Sequence, residues 1–162
     1  MIKFLPLFLI SLTLSACGFH PVHGKFSNDA GSTSAPVSIA IIPDREGQFL
    51  RNELIDRLHS DGKPSQTQYR LTIEKIHESD KELAITKSSE ATRAQLRLKT
   101  RMILTDHTGK DVLLRDLQAV TSYNVLKSEF ATRVAENTAR ENALRDLARQ
   151  TETQLNLFLN RQ

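Results

Sequence analysis

Four basic side chains, Arg93, Arg97, Lys99 and Arg101, fall with Gln95 on the odd positions of the segment RAQLRLKTRMILT. In an extended strand, alternate residues share a face and stand about 6.6 Å apart, so these cations form one row. A guanidinium meets phosphate oxygens through a two-pronged fork, which makes the row a candidate seat for an anionic, phosphate-bearing ligand. The same pattern also suits a solvated sheet face that balances acids on its neighbours, such as Glu74 and Asp116, or a surface that meets acidic groups of a protein partner. The second chemically distinctive position is Cys17, the only cysteine. It excludes an intramolecular disulfide and offers no metal-ligand spacing. It can be a small hydrophobe, a catalytic thiol or an attachment point.

Other chemistry finds little support. His20 and His23 stand three apart, but Pro21 and Gly24 interrupt the stretch and no third ligand is near, whereas structural zinc takes four. No metal is expected. The chain has no Gly-x-Ser-x-Gly, His-Glu-x-x-His or P-loop pattern. Asp44, Glu46, Asp56, Asp61 and Asp106 include no pair that the pattern places across a cleft. No enzymatic activity and no dissociable cofactor are expected. The net charge of +3 is too weak a bias to imply nucleic acid, and none is expected as a partner.

The amino terminus decides between the uses of Cys17. Lys3 precedes the apolar run Phe4 to Leu14, which is too short for a mature span of roughly 20 residues. A charged start, a short apolar stretch and the small residues Ser15 and Ala16 make a secretory signal. Leu14-Ser15-Ala16-Cys17 resembles the bacterial lipobox. That resemblance implies cleavage before Cys17, an S-diacylglycerol on its sulfur and an N-acyl chain on the new amino group. Two or three fatty chains hold a protein stably at a bilayer where one is marginal. Gly18, in place of the Asp that commonly signals inner-membrane retention, favours the periplasmic face of the outer membrane. Residues 1–16 are therefore expected to be a signal peptide, 17–36 a lipidated segment and polar spacer, and 37–162 one domain.

The domain that carries the cationic row is to be built mainly on Leu, Ile, Val and Ala. Tryptophan is absent and aromatics make up 6% of the chain. Val37–Ile42 is apolar and β-branched, a buried strand. Pro43-Asp44 ends it, with Asp44 as helix N-cap, and Leu50, Leu54, Ile55 and Leu58 give a helix that Gly62 and Pro64 stop. Gln68–Ile76 alternates as a half-buried strand. Glu78–Lys81 is expected to be a polar turn, with Leu83–Ile85 resuming a strand and Lys87–Thr92 looping. The cationic row lies on the next strand, Arg93–Thr105, whose opposite face holds Ala94, Leu96, Leu98, Met102 and Leu104. DHTGK supplies a hairpin turn. Asp111–Asn124 is a further strand of open register. A helix from Ser128 to about Asn160 carries an apolar stripe from Phe130 and Val134 through Leu144, Leu147 and Leu155 to Phe158 and Leu159. At about 50 Å its end is expected to overhang; the stripe is core packing first, and Leu155–Leu159 at its distal end can instead meet a partner. The sum is an α+β two-layer sandwich, two helices on one face of a four-stranded mixed sheet in the order β-α-β-β-β-α.

Cys17-Gly18-Phe19-His20-Pro21-Val22-His23-Gly24 resembles the start of mature lipoproteins of the LptE lipopolysaccharide-assembly family, especially alphaproteobacterial members. Those often begin Cys-Gly-Phe-Arg-Pro-Leu-Tyr-Gly, so this chain departs at His20 and His23. Ala91-Thr92-Arg93, Thr108-Gly109-Lys110, Thr121-Ser122-Tyr123-Asn124-Val125, Phe130-Ala131 and Ala135-Glu136 are also similar to the family pattern, and their order and spacing carry the likeness. The resemblance implies two helices on a four-stranded sheet. It further implies a plug that sits inside the LptD translocon barrel, helps the barrel assemble and binds lipopolysaccharide (LPS). Arg93, Arg97, Lys99 and Arg101 are then the candidate LPS contacts. An accessory lipoprotein of a periplasmic lipid-transport complex is the alternative.

Overall fold

The strand that carries the cationic row forms because its apolar and polar residues alternate without a break, a pattern that only an extended chain buried on one face can satisfy. A computed structural model describes residues 36–60, 62–64, 66–85 and 91–161. The expected signal peptide, Cys17, His20, His23, the expected spacer to residue 35 and residues 87–90 of the expected 87–92 loop lie outside them, while Ala91 and Thr92 of that loop are strand. The elements run β1 (Val37–Ile39), α1 (Asp44–Leu58), β2 (Tyr69–Ile73), β3 (His77–Ile85), β4 (Ala91–Asp106), β5 (Asp111–Asn124) and α2 (Glu129–Leu159).

The fold is the expected α+β sandwich, with a mixed sheet and two helices. The sheet has five strands rather than four. β4 is its axis. β5 pairs antiparallel along one edge of β4, from Arg93↔Asn124 to Thr105↔Asp111. On the other edge β2 and β3 follow one another end to end, with Ile73 opposite Met102 and His77 opposite Lys99. Three residues, Glu74–Ile76, fill a gap that spans two residues of β4. The extra residue separates β2 from β3, as a bulge does, and the strand expected over Gln68–Ile76 ends at Ile73. Thr100 Oγ1 donates to the Glu74 carbonyl at 2.8 Å, and Glu74 N–H donates to the Arg101 carbonyl, so Glu74 keeps both of its backbone groups paired. Glu78–Lys81 is strand and not a turn. β1 joins β2 in parallel, Val37 beside Tyr69, as a strand–helix–strand connection allows.

Helix ends correct two further expectations. Asp44 is not an N-cap. Pro43 takes that place with no side-chain cap, and Asp44 is the first helical residue at φ 65°, a left-handed conformation that Asp tolerates better than most. Its carboxylate reaches Lys75 Nζ at 3.1 Å instead. The tight entry also needs Gly47, where a Cβ would lie 2.7 Å from Ile42 Cγ2 and 2.9 Å from the Ile42 backbone. Ser128 does cap α2, accepting from Ala131 N–H.

Buried side chains from both layers form one cluster: Leu50, Leu54 and Leu58 of α1, Leu71 and Ile73 of β2, Leu96, Leu98, Met102 and Leu104 of β4, and Leu144, Leu147 and Leu155 of α2. Each such Leu or Ile contributes about 1.5–3 kcal/mol on burial. α1 packs on α2 and β1. The helix pair is tied by Arg57–Glu152 at 3.2 Å and by Arg145, which reaches Glu53 and lies 5.4 Å over the Phe49 ring. α2 overhangs at its N-terminal end, while its distal stripe packs as core, the first of the two roles expected of it. Leu155 is fully buried, and Phe158 meets the edge of Tyr69 at 5.7 Å between ring centres. No residue of α2 before Ala139 is buried, and Phe130 is 79% exposed.

Candidate functional site

Directly opposed residues in a sheet point to the same face, so the register fixes which side chains share a surface. The even positions of β4, from Ala94 to Leu104, face the helices and are buried. In β5, Leu113, Leu117 and Ala119 share that face, which settles its register. The odd positions of β4 therefore face away. Arg93, Arg97, Lys99 and Arg101 stand together in one row on the uncovered face, as the alternation requires.

The neighbours of this row differ along its length. At one end Arg101 Nε donates to Asp116 Oδ1 at 2.7 Å. That bond holds the Asp116 carboxyl below the usual carboxylate range and raises the Arg101 guanidinium, with Glu74 adding to the latter. This end matches the balanced-surface reading, with the two acids that the sequence nominates. Lys99 stands between His77 and Gln118. An open depression of about 640 Å³ lies here, where β2 gives way to β3, and Glu74, Lys75, His77, Lys99, Arg101 and Asp116 are among its lining residues. At the other end, Arg97 stands between Ser79 and Val120, Gln95 between Lys81 and Ser122, and Arg93 beside Asn124. No carboxylate among the described residues forms an ion pair with Arg93, Arg97 or Lys99.

β3 supplies what the sequence reading missed. With Glu78–Lys81 extended, Lys81 joins the cationic face opposite Gln95 and His77 joins it opposite Lys99. In β3, His77, Ser79 and Lys81 alternate with Glu78, Asp80 and Glu82, but with neither set apolar the alternation carries no burial signal. The acids point to the helix side, opposite Leu98, Leu96 and Ala94. There Arg140 of α2 grips Glu78 through two bonds of 2.7 Å and also bonds Glu136 and Asn137. The two carboxylates raise the Arg140 guanidinium further. Asp80 beside them is raised, first by desolvation and then by the charges of Glu78 and Glu136. Tyr123, on the same face, is raised chiefly by desolvation.

Among the described residues no group of three or more His, Cys, Asp or Glu is placed to hold a metal ion. No helix among them is long and apolar enough to cross a membrane.

Several solved structures share this fold. A protein from Caulobacter crescentus described as a lipoprotein is 21% identical, with a TM-score of 0.59 over 77% of this chain and 91% of its own. A minor lipoprotein from Acinetobacter baumannii is 21% identical, with a TM-score of 0.60 over 75% and 90%. The rare lipoprotein B of Shewanella oneidensis is 14% identical, with a TM-score of 0.58 over 76% and 96%. At these identities the likeness shows the fold. No curated protein matches the chain significantly. A family model described as LptE, lipopolysaccharide-assembly, matches residues 34–155, which takes in every strand, α1, and α2 up to Leu155. The chain belongs to the LptE lipopolysaccharide-assembly family.

Proposed function

We propose that this protein is a lipid-anchored, non-catalytic component of LPS assembly, held by acyl chains on Cys17 at the periplasmic face of the outer membrane. It plugs the LptD barrel, helps that barrel assemble, and receives LPS phosphates on the uncovered sheet face. Family membership supports the role in LPS assembly. The observation that carries the finer reading is the asymmetry of the sandwich: both helices cover one face, and the other presents Arg93, Arg97, Lys99 and Arg101. A rigid body with one polar, cationic side suits a barrel lumen, whose wall is polar, and an anionic glycolipid. Acyl anchoring confines the domain to one leaflet and raises its effective concentration beside a barrel in that membrane.

The test is affinity capture of the tagged, lipidated protein from outer membranes, in a detergent strong enough to strip loose partners. A large β-barrel that stays with the protein, and is lost when Cys17→Ala prevents anchoring, is the expected outcome. Capture of a periplasmic lipid-transfer complex in place of a barrel overturns the plug reading.

A further inference from the structure

We infer that Lys81, Arg93 and Arg97 form a three-cation seat for the phosphate groups of an acylated glycolipid, and that Lys99 and Arg101 lie outside it. This rests on the LPS-binding part of the proposed function and deepens it by dividing the row and adding a residue from another strand.

The register makes the seat. Lys81 lies directly across from Gln95, and Arg93 and Arg97 lie two positions to either side of Gln95. Diagonal neighbours on one sheet face are about 7–8 Å apart, within reach of long basic side chains. Three cations thus surround one uncharged position. Across β4, the facing residues of β5 are Val120, Ser122 and Asn124, none of them acidic. No described carboxylate pairs with Lys81, Arg93 or Arg97. The acids of β3 that flank Lys81 point to the opposite face, where Arg140 holds Glu78. Lys81, Arg93 and Arg97 therefore keep full donor capacity for a ligand, whereas Arg101 has already given its Nε–H to Asp116.

The surroundings select the class of ligand. Gln95, Ser79 and Ser122 offer hydrogen bonds to sugar hydroxyls beside the cations. Val120, directly opposite Arg97 and 40% exposed, offers an apolar contact. Phosphate, sugar and hydrocarbon side by side describe a phosphorylated glycolipid better than a phospholipid headgroup or free phosphate.

The experiment measures equilibrium binding of the full mature chain to detergent-dispersed diphosphoryl lipid A, to its phosphate-free form, and to phosphatidylglycerol vesicles. Two double variants remove the same charge: Lys81→Gln with Arg97→Gln, and Lys99→Gln with Arg101→Gln. Circular dichroism and the urea midpoint confirm that both fold. The first pair is expected to lose about tenfold or more in affinity for diphosphoryl lipid A, and the second less than about threefold. Equal losses in the two pairs overturn the seat while leaving LPS binding by a diffuse field intact. Equal affinity of the wild type for the phosphate-free form overturns phosphate as the recognised group. Vesicles that bind as tightly as lipid A overturn the glycolipid as occupant. A wild type that binds none of the three overturns the LPS-binding reading itself.

Discussion

The sheet lies under two helices over one half of its length and under one over the other, and its residues differ accordingly. Where α1 and α2 both cover it, the helix-facing residues are Val37 of β1, Leu71 and Ile73 of β2, and Met102 and Leu104 of β4, all buried. Where α2 crosses alone, β4 still presents Ala94, Leu96 and Leu98, but β3 presents Glu78, Asp80 and Glu82, which are exposed. One helix is too narrow to dry three strands. The edge strand therefore stays wet and is joined to α2 by the Arg140 network rather than by apolar packing. The uncovered face divides at the same place: acids answer Arg101 in the two-helix half, and no described carboxylate pairs with Lys81, Arg93 or Arg97 in the other. One half holds the molecule together, and the other leaves its cations without a carboxylate partner among the described residues.

The largest effect expected from this contrast comes from the two-helix half. Leu71→Ala removes a fully buried side chain of β2, opposite Ile39 of β1, and should cost about 2–5 kcal/mol in urea unfolding. A loss under about 1 kcal/mol would mean that this half is not the better packed one. Gly47→Ala comes next. Its Cβ would press on both the side chain and the backbone of Ile42, and overpacking of this kind costs about 1–3 kcal/mol. Thermal unfolding of the variant reads it directly.

The network of the single-helix half should rank below these. Arg140→Met leaves Glu78, Asp80 and Glu136 without their shared cation. About 1–3 kcal/mol is the cost of stranding partly buried charged groups. The loss should shrink at acid pH as the carboxyls take up protons. Asp80 gives the opposite sign. Its folded pKa is raised above the ordinary 3.8, so its charge destabilises the native state above the folded value. The penalty disappears as pH falls through that value and is absent below 3.8. Asp80→Asn should therefore raise the urea midpoint slightly at pH 7 and leave it unchanged near pH 3, the effect being small because solvent screens this exposed group. A midpoint lowered at pH 7 would show that Asp80 is held by a favourable partner instead.

The same contrast explains what could be read from the sequence. β4 was legible because it is apolar on one face and polar on the other throughout, and the Asp106 turn because Gly109 adopts φ 86° while Asp106 Oδ1 collects bonds from Thr108 and Lys110. Those bonds, Thr108 first, hold the Asp106 carboxyl below its ordinary range. β3 was not legible as a strand. Neither of its faces is apolar over Glu78–Lys81, since its helix side is acidic, so the period-2 signal of burial is missing there. Its pairing comes from β4, a long-range contact that local pattern does not encode. Losing β3 also hid Lys81 from the candidate site. That α2 overhangs at its N-terminal end was not legible for a related reason. Phe130 and Val134 continue the helical period, yet the layer beneath them lacks the second helix that would complete a core.

The smallest expected effect tests that last point. Phe130 is 79% exposed and Val134, one turn on, is 49% exposed. Thr132 between them is occupied with the backbone of Leu126, whose N–H and carbonyl both bond its hydroxyl, so the first turn is fixed by that clasp. Phe130→Ser should then change stability by no more than about 0.5 kcal/mol, whereas Thr132→Val, which removes the clasp, should cost about 1 kcal/mol. If Phe130→Ser proved the more damaging in urea unfolding, the first turns of α2 would be packed against the body, and the single-helix half would carry a core of its own.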